Sequence, residues 1–308
     1  MVAEVKKIKT VVVGSSGMLG RDLCILLQQR GFIANTGLDL PELDITDLES
    51  VESSDILNNA NVIFNCAAYT DVEKAEVDEK QATLINRDGV MNLCRVAENN
   101  KSVLVHVSTD FVFDGKSRMP YGEIDDRNPI SAYGRSKLLG EIVLEHSKCH
   151  WILIRTAWLY GIYGSNFIKK IITHALKGNN INVIADEYGS PTYTADLAEA
   201  MIDLSLAGRK GPFHCVNSGE ASRFELALEA IRMANINVFV RPVLEKEANV
   251  LFNFKAKRPK YSVLDNSCLE RTIGISMRHW KEALVDYIGL LKDSGIILSQ
   301  RNKGEKSN

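Results

Sequence analysis

The sequence predicts an α/β protein built on a doubly wound parallel sheet, and three observations carry that prediction. Short apolar runs rich in β-branched residues alternate with stretches of helical periodicity from residue 8 onward. That alternation is the pattern of βαβ units joined by right-handed crossovers. The first run ends in three glycines spaced three apart, Gly14, Gly17 and Gly20, which open onto a helical segment. The 308 residues are 45% hydrophobic and 25% charged, enough apolar material to cover both faces of such a sheet.

IKTVVV (8–13) reads as the first strand. The helix that follows has Leu19, Leu23, Leu26 and Leu27 at helical spacing and Gly31 as its stop. GFIANTGLDLPE (31–42) carries the second strand, longer and less apolar than an ideal one. NVIFNCAA (61–68) is a buried third strand. EKQATLINRDGVMNLCRVAENN (79–100) is a helix with Leu84, Val90, Leu93, Cys94 and Ala97 on or near one face. KSVLVHVST (101–109) is the fourth strand, AYGRSKLLGEIVLEHS (132–147) a helix and WILIRTAWLY (151–160) a strand.

Beyond residue 160 the pattern loosens. Helices are expected over 165–178, over 194–208 with Thr194 as N-cap, and over 222–235. Strands are expected over 181–186 and 211–217. No Pro/Ser-rich linker divides the chain. The expected organisation is a main sheet domain over 1–160 and a smaller C-terminal α/β lobe over 161–296 that partly returns to the main sheet. The polar tail, 297–308, is expected to be disordered.

A formal net charge of −2 lacks the basic surface of a nucleic-acid binder. No apolar run reaches the roughly 18–20 residues of a membrane span. The N-terminus lacks the apolar core of a signal peptide. The six cysteines form no CxxC pair and mostly sit in apolar runs, and the six histidines are dispersed. They read as small buried hydrophobes in a reducing cytoplasm, with no metal site.

Two motifs point to chemistry. The pattern G-x-x-G-x-x-G at a strand-to-helix turn lets backbone approach a pyrophosphate at the positive end of a helix, although such glycines also serve plain tight turns. Asp39 lies in the range expected for an acid on the adenosine ribose, and Asp44 is placed to reach the adenine end. The second motif is Tyr133-Gly-Arg-Ser-Lys137. Residues four apart share a helix face, and a nearby ammonium is expected to lower the tyrosine pKa so that it can pass a proton at neutral pH. Thr109 ends the fourth strand, at the edge where ligands bind in such sheets. Together the motifs indicate a Rossmann-like dinucleotide site.

Further stretches carry a family resemblance: LDITD (43–47), NCAAYTDVEKAE (65–76), VSTDFVFDG (107–115), YGRSKLLGE (133–141), RTAWLYG (155–161), DEYGSPTYTADLA (186–198) and RPKYSVLDNS (258–267). Over roughly residues 8–292 the chain resembles the dTDP-4-dehydrorhamnose reductase family of the extended short-chain dehydrogenase/reductase superfamily. The resemblance implies a pyrophosphate loop of Gly14, Ser16, Gly17, Met18, Leu19 and Gly20. It implies Asp39 at the ribose, Asp44 with Ile45 at the adenine, and Ala67, Ala68 and Tyr69 along the cofactor. It implies a catalytic trio of Thr109, Tyr133 and Lys137. It also implies Thr70, Phe111 and Trp158 against a deoxysugar and Arg258 on the nucleotide diphosphate.

The implied reaction is hydride transfer from NADPH or NADH to C4 of a 4-keto-6-deoxyhexose, in dTDP-L-rhamnose synthesis. Leu40, not an arginine, follows Asp39, which leans toward NADH. The resemblance further implies a homodimer and, in some members, an interface magnesium, for which no residue here is assigned. Two other readings stay open. One is another nucleotide-sugar reductase or epimerase. The other is a non-catalytic dinucleotide-binding subunit, as in the regulatory subunit of eukaryotic methionine adenosyltransferase.

Overall fold

In the computed structural model, the described residues are 7–32 and 35–297. The second predicted strand therefore falls partly outside them, at residues 33 and 34, and so does all but the first residue of the expected tail.

The main sheet holds six parallel strands: β1 (Thr10–Val13), β2 (Asn35–Leu38), β3 (Val62–Asn65), β4 (Val103–Thr109), β5 (His150–Thr156) and, from far along the chain, β10 (Gly211–His214). Their order is β10-β5-β4-β3-β1-β2. The order reverses at β1, with β2 on one side and β3 on the other, so a crevice opens beyond the carboxyl ends of β1 and β3.

Successive residues of the central strands feed opposite faces. Val12, Phe64, Val105, Ile152 and Ile154 join Leu19, Leu23 and Leu27 of helix Met18–Gln29 and the apolar residues of helix Thr194–Leu206 in one core. Val11, Val13, Ile63, Leu104 and Leu153 join Val90, Leu93, Cys94, Ala97 and Leu144 in the other. Both faces are covered, which explains why these strands read as continuous apolar runs.

The smaller strands follow in chain order: β6 (Leu159–Tyr160), β7 (Ile181–Ile184), β8 (Tyr188–Gly189), β9 (Thr192–Tyr193), β11 (Ala221–Ser222) and β12 (Val240–Val243). They form three two-stranded ribbons, β6 with β9, β8 with β11 and β7 with β12. Tyr160, Ile168, Ile172, Trp280, Leu284, Tyr287 and Leu291 make a third core beside them. Among the described residues, no helix is long and apolar enough to cross a membrane.

Several expectations need correction. The strand predicted over 151–160 breaks at Trp158, whose φ of 48° turns the chain out of the main sheet before β6 begins. The helix predicted over 79–100 is interrupted by a π-helical segment at Leu84–Asp88, and the extra residue in that turn leaves Leu84 37% exposed. Thr194 is not an N-cap. Tyr193 occupies that position, and the Thr194 hydroxyl donates instead to Asp22 of helix Met18–Gln29. β12 was not anticipated, because Arg241 and Pro242 interrupt its apolar pattern.

Candidate active site

A cavity of about 1250 Å3 runs along the carboxyl edge of the sheet. At one end is the turn after β1. Gly14 has φ +78°, and a Cβ there would lie 2.5 Å from the Ala67 nitrogen. A Cβ on Gly20 would lie 2.2 Å from the Gly14 carbonyl oxygen. Only glycine lets these three backbones meet. Helix Met18–Gln29 then starts at Gly17 with no side-chain cap, and its first free N–H groups border the cavity. An uncapped helix end beside a groove is a fitting seat for a pyrophosphate.

Asp39 sits just past β2. Its carboxylate accepts hydrogen bonds from the backbone and hydroxyl of Ser16 and from the Leu40 nitrogen. Burial opposes its charge, but these bonds hold its carboxyl below the usual carboxylate range. Asp44 accepts from the Thr46 nitrogen and hydroxyl at 2.9 and 2.7 Å, so its carboxylate also shapes its own turn. Ile45 packs under Gly89.

Helix Ala132–His146 delivers Tyr133 and Lys137. Ser131 caps it by accepting from the Gly134 nitrogen, and Glu76 accepts from the Ala132 nitrogen at 2.7 Å. Its glycines bring it down onto main chain: a Cβ at Gly134 would be 2.2 Å from the Phe111 carbonyl oxygen, and one at Gly140 would be 2.1 Å from that of Asn86. Asn86 lies in the π-helical segment and clamps the site. Its amide bonds both backbone groups of Tyr69 and the Ser136 hydroxyl. A π-bulge at such a place is a recurrent functional device.

Lys137 is 2% exposed. Its Nζ donates to the Val107 carbonyl at 2.7 Å and lies 3.4 Å from His106 Nε2. Burial pulls its pKa down to about 8, against the pull of Glu141. The Tyr133 phenol packs edge-on to Phe111, with ring centroids 5.6 Å apart. Its pKa moves opposite to the sequence expectation. Burial pushes it up to about 12, Asp110 adds to the rise, and the Thr109 hydroxyl only partly offsets them. The Lys137 ammonium is turned to Val107 instead of lowering the phenol. Thr109 donates to Asp110 Oδ1 at 3.1 Å and accepts from the Phe111 nitrogen. Asp110 is buried, accepts from Ser262 at 2.6 Å and is raised by burial to about 6.

The cavity brings together Gly14, Ser16, Gly17, Met18, Leu19, Gly20, Asp39, Asp44, Ile45, Ala67, Ala68, Thr70, Thr109, Phe111, Tyr133, Lys137, Trp158 and Arg258. Tyr69 is the exception. Its ring packs with Ala75, Ala82, Ala132 and Tyr133, and it does not border the cavity. Arg258 does line it, but its guanidinium is paired with Glu73, donates to the Ala256 carbonyl and stacks on Phe254.

Residues 8–292 match the family model described as the RmlD substrate binding domain. The chain belongs to this family. A dTDP-4-keto-6-deoxy-D-glucose reductase of Streptomyces niveus is 39% identical over 285 residues, 91% of this chain and 96% of that protein. A dTDP-4-dehydrorhamnose reductase of Streptomyces griseus is 37% identical over 283 residues, 90% and 91% of the two chains. Among solved structures, a dTDP-4-dehydrorhamnose reductase of Clostridium acetobutylicum aligns with a TM-score of 0.87 at 39% identity, over 92% of this chain and 100% of that one. One from Bacillus anthracis, in complex with NADP, aligns with a TM-score of 0.87 at 34% identity, over 92% and 99%. The RmlD relationship bears out the expected family and the Rossmann-like fold.

Sequence reasoning passed over Asp110, Asn86, His106, Glu187 and Arg223. The first three are polar residues in or beside predicted strands and helices, and all three are buried. A polar side chain inside an apolar pattern was the available signal. Glu187 and Arg223 come from the C-terminal lobe, and both line the cavity.

Proposed function

We propose that this protein is an oxidoreductase that reduces the C4 keto group of dTDP-4-dehydro-L-rhamnose to dTDP-L-rhamnose with NADPH or NADH. The observation that supports this most directly is the continuity of one cavity. The glycine turn, the trio of Thr109, Tyr133 and Lys137, and Trp158 all border it. Residues 1–160 mainly serve the dinucleotide, and residues 161–296 mainly serve the sugar nucleotide. The scattered cysteines fit a cytoplasmic enzyme.

When bound, the reduced nicotinamide supplies the hydride. The chain contributes alignment and a proton. The uncapped helix end and the turn of Gly14, Ser16, Gly17, Met18, Leu19 and Gly20 hold the pyrophosphate. Asp39 meets the ribose, Asp44 and Ile45 the adenine, and Ala67 and Ala68 the wall beyond β3. Tyr133 stays protonated across the neutral range, because its pKa is pushed up to about 12. It gives that proton to the sugar O4 as the alkoxide develops. Lys137 has donors beyond the one spent on Val107. They would hold a ribose hydroxyl. Thr109 polarises the carbonyl by turning its hydroxyl from Asp110, while Thr70, Phe111 and Trp158 shape the sugar end.

The Streptomyces niveus relative favours a second reading, reduction at C4 of a different dTDP-4-keto-6-deoxyhexose. The test is loss of NADPH and of NADH absorbance on adding dTDP-4-dehydro-L-rhamnose, with Tyr133→Phe as control. The expected result is oxidation by the native chain and a loss of about 100-fold or more in the variant. Tight dinucleotide binding without turnover overturns the proposal.

A further inference from the structure

One wall of the cavity holds a cation that the sequence motifs do not announce. Arg223 opens helix Arg223–Ala234, inside the capping box formed by Ser222 and Glu225. The box fixes its backbone, and its N–H donates to the Glu187 carbonyl at 3.2 Å. Its guanidinium carbon stands 3.5 Å from the centroid of the Trp158 ring and 5.2 Å from that of Phe167. Trp158 is itself backed by backbone, since a Cβ on Gly189 would lie 2.4 Å from its ring. The indole is therefore a fixed plate, and the guanidinium is laid on it.

Stacking occupies the face of a guanidinium and leaves its five in-plane N–H donors free. Among the described residues, none of these donors makes a hydrogen bond or an ion pair. The neighbouring carboxyls, Glu187 and Asp110, attract the cation without pairing to it, and burial pulls the Arg223 pKa down to about 10. The side chain is half-buried, and its unpaired donors border the cavity that the substrate must enter. Arg258 also stacks on a ring, that of Phe254, but its in-plane donors are already engaged by Glu73 and the Ala256 carbonyl. Lys170 also lines the cavity, but its ammonium is exposed to solvent.

We propose that Arg223, held flat on Trp158, is the residue that receives the diphosphate of the sugar-nucleotide substrate through its in-plane N–H donors. The role expected of Arg258 passes to a residue 35 positions earlier in the chain. The inference rests on the nucleotide-sugar reading above and deepens it. A planar fork of donors matches two phosphate oxygens at once, which a lysine ammonium cannot do.

The test is calorimetric titration of dTDP, and separately of thymidine, into the full chain saturated with NADP. Native protein, Arg223→Lys and Arg223→Met are compared. The expected result is dTDP affinity about 100-fold lower in Arg223→Met, with an intermediate loss in Arg223→Lys. Thymidine and NADP affinities should stay within about twofold, which also reports that the variants are folded. In turnover, KM for the sugar nucleotide should rise by more than kcat falls. Unchanged dTDP affinity in both variants overturns the proposal, whether KM is unaltered or rises because Arg223 reads the sugar alone. A native chain that binds dTDP in this Arg223-dependent way yet turns over no 4-keto sugar would sink the reductase reading and leave this inference standing. Normal turnover with Arg223-independent dTDP binding would do the reverse.

Discussion

His106 presents its Nε2 atom to the Nζ of Lys137 at 3.4 Å, while its Nδ1 faces the Asn65 amide nitrogen at 3.0 Å. The Asn65 oxygen accepts from the Ala67 nitrogen, so its NH2 group is turned to the ring and Nδ1 must accept. Burial, and then the charge of Lys137, hold the His106 pKa well below its ordinary value. A neutral ring with Nδ1 accepting carries its proton on Nε2. The Lys137 ammonium thus finds a donor there, and among the described residues the Val107 carbonyl is its one short contact.

This arrangement has a consequence for stability. The folded pKa of Lys137 is pulled from 10.5 down to about 8. Between these values the unfolded chain binds the proton and the folded chain does not, so folding gains as pH rises from about 8 to 10.5. The stability difference between native protein and Lys137→Met should shift toward the native protein across that window, by about 3 kcal/mol at most. Urea unfolding at stepped pH measures it, and a flat difference would refute the burial of a free ammonium here.

One turn beyond Lys137, Glu141 is fully buried against Arg155, Arg127 and Ser108. It ties helix Ala132–His146 to β4 through Ser108 and to β5 through Arg155. Glu141→Gln leaves the Arg155 guanidinium buried without its counter-charge and should cost about 3–5 kcal/mol. Denaturant unfolding reads the loss. At temperatures where the variant remains folded, turnover should also fall, because the same helix carries Tyr133.

Gly20 is a test of the cradle alone. Gly20→Ala drives a methyl group into the Gly14 carbonyl, and relieving that clash moves the turn, at about 1–3 kcal/mol. Dinucleotide affinity, followed by the fluorescence of bound NADPH, should drop about 10- to 100-fold. Binding equal to that of the native chain would argue that the turn does not seat the pyrophosphate.

The central strands were readable because burial on both faces writes itself as runs of β-branched and aromatic residues, as in residues 10–13 and 62–64. β12 was hidden by Arg241 and Pro242, both exposed on a ribbon of two strands. Around the site, Tyr133 and Lys137 were legible because a helix fixes what four-residue spacing means. Pairings across the chain have no such ruler. Glu73 reaches Arg258 over 185 residues and Thr194 reaches Asp22 over 172. Arg258 therefore reads as a free cation, and Thr194 as a cap, until the fold supplies their partners.

The contacts of Gly134 with Phe111 and of Gly140 with Asn86 set main chain directly against main chain. No layer of deformable side chains lies between them, so the helix that bears Tyr133 has a fixed datum. The facing wall is another matter. Trp158 and Glu187 come from separate loops and Arg223 from the start of helix Arg223–Ala234, all beyond the main sheet. That wall can thus be rewritten on its own, with the placement of Tyr133 and Lys137 inherited intact.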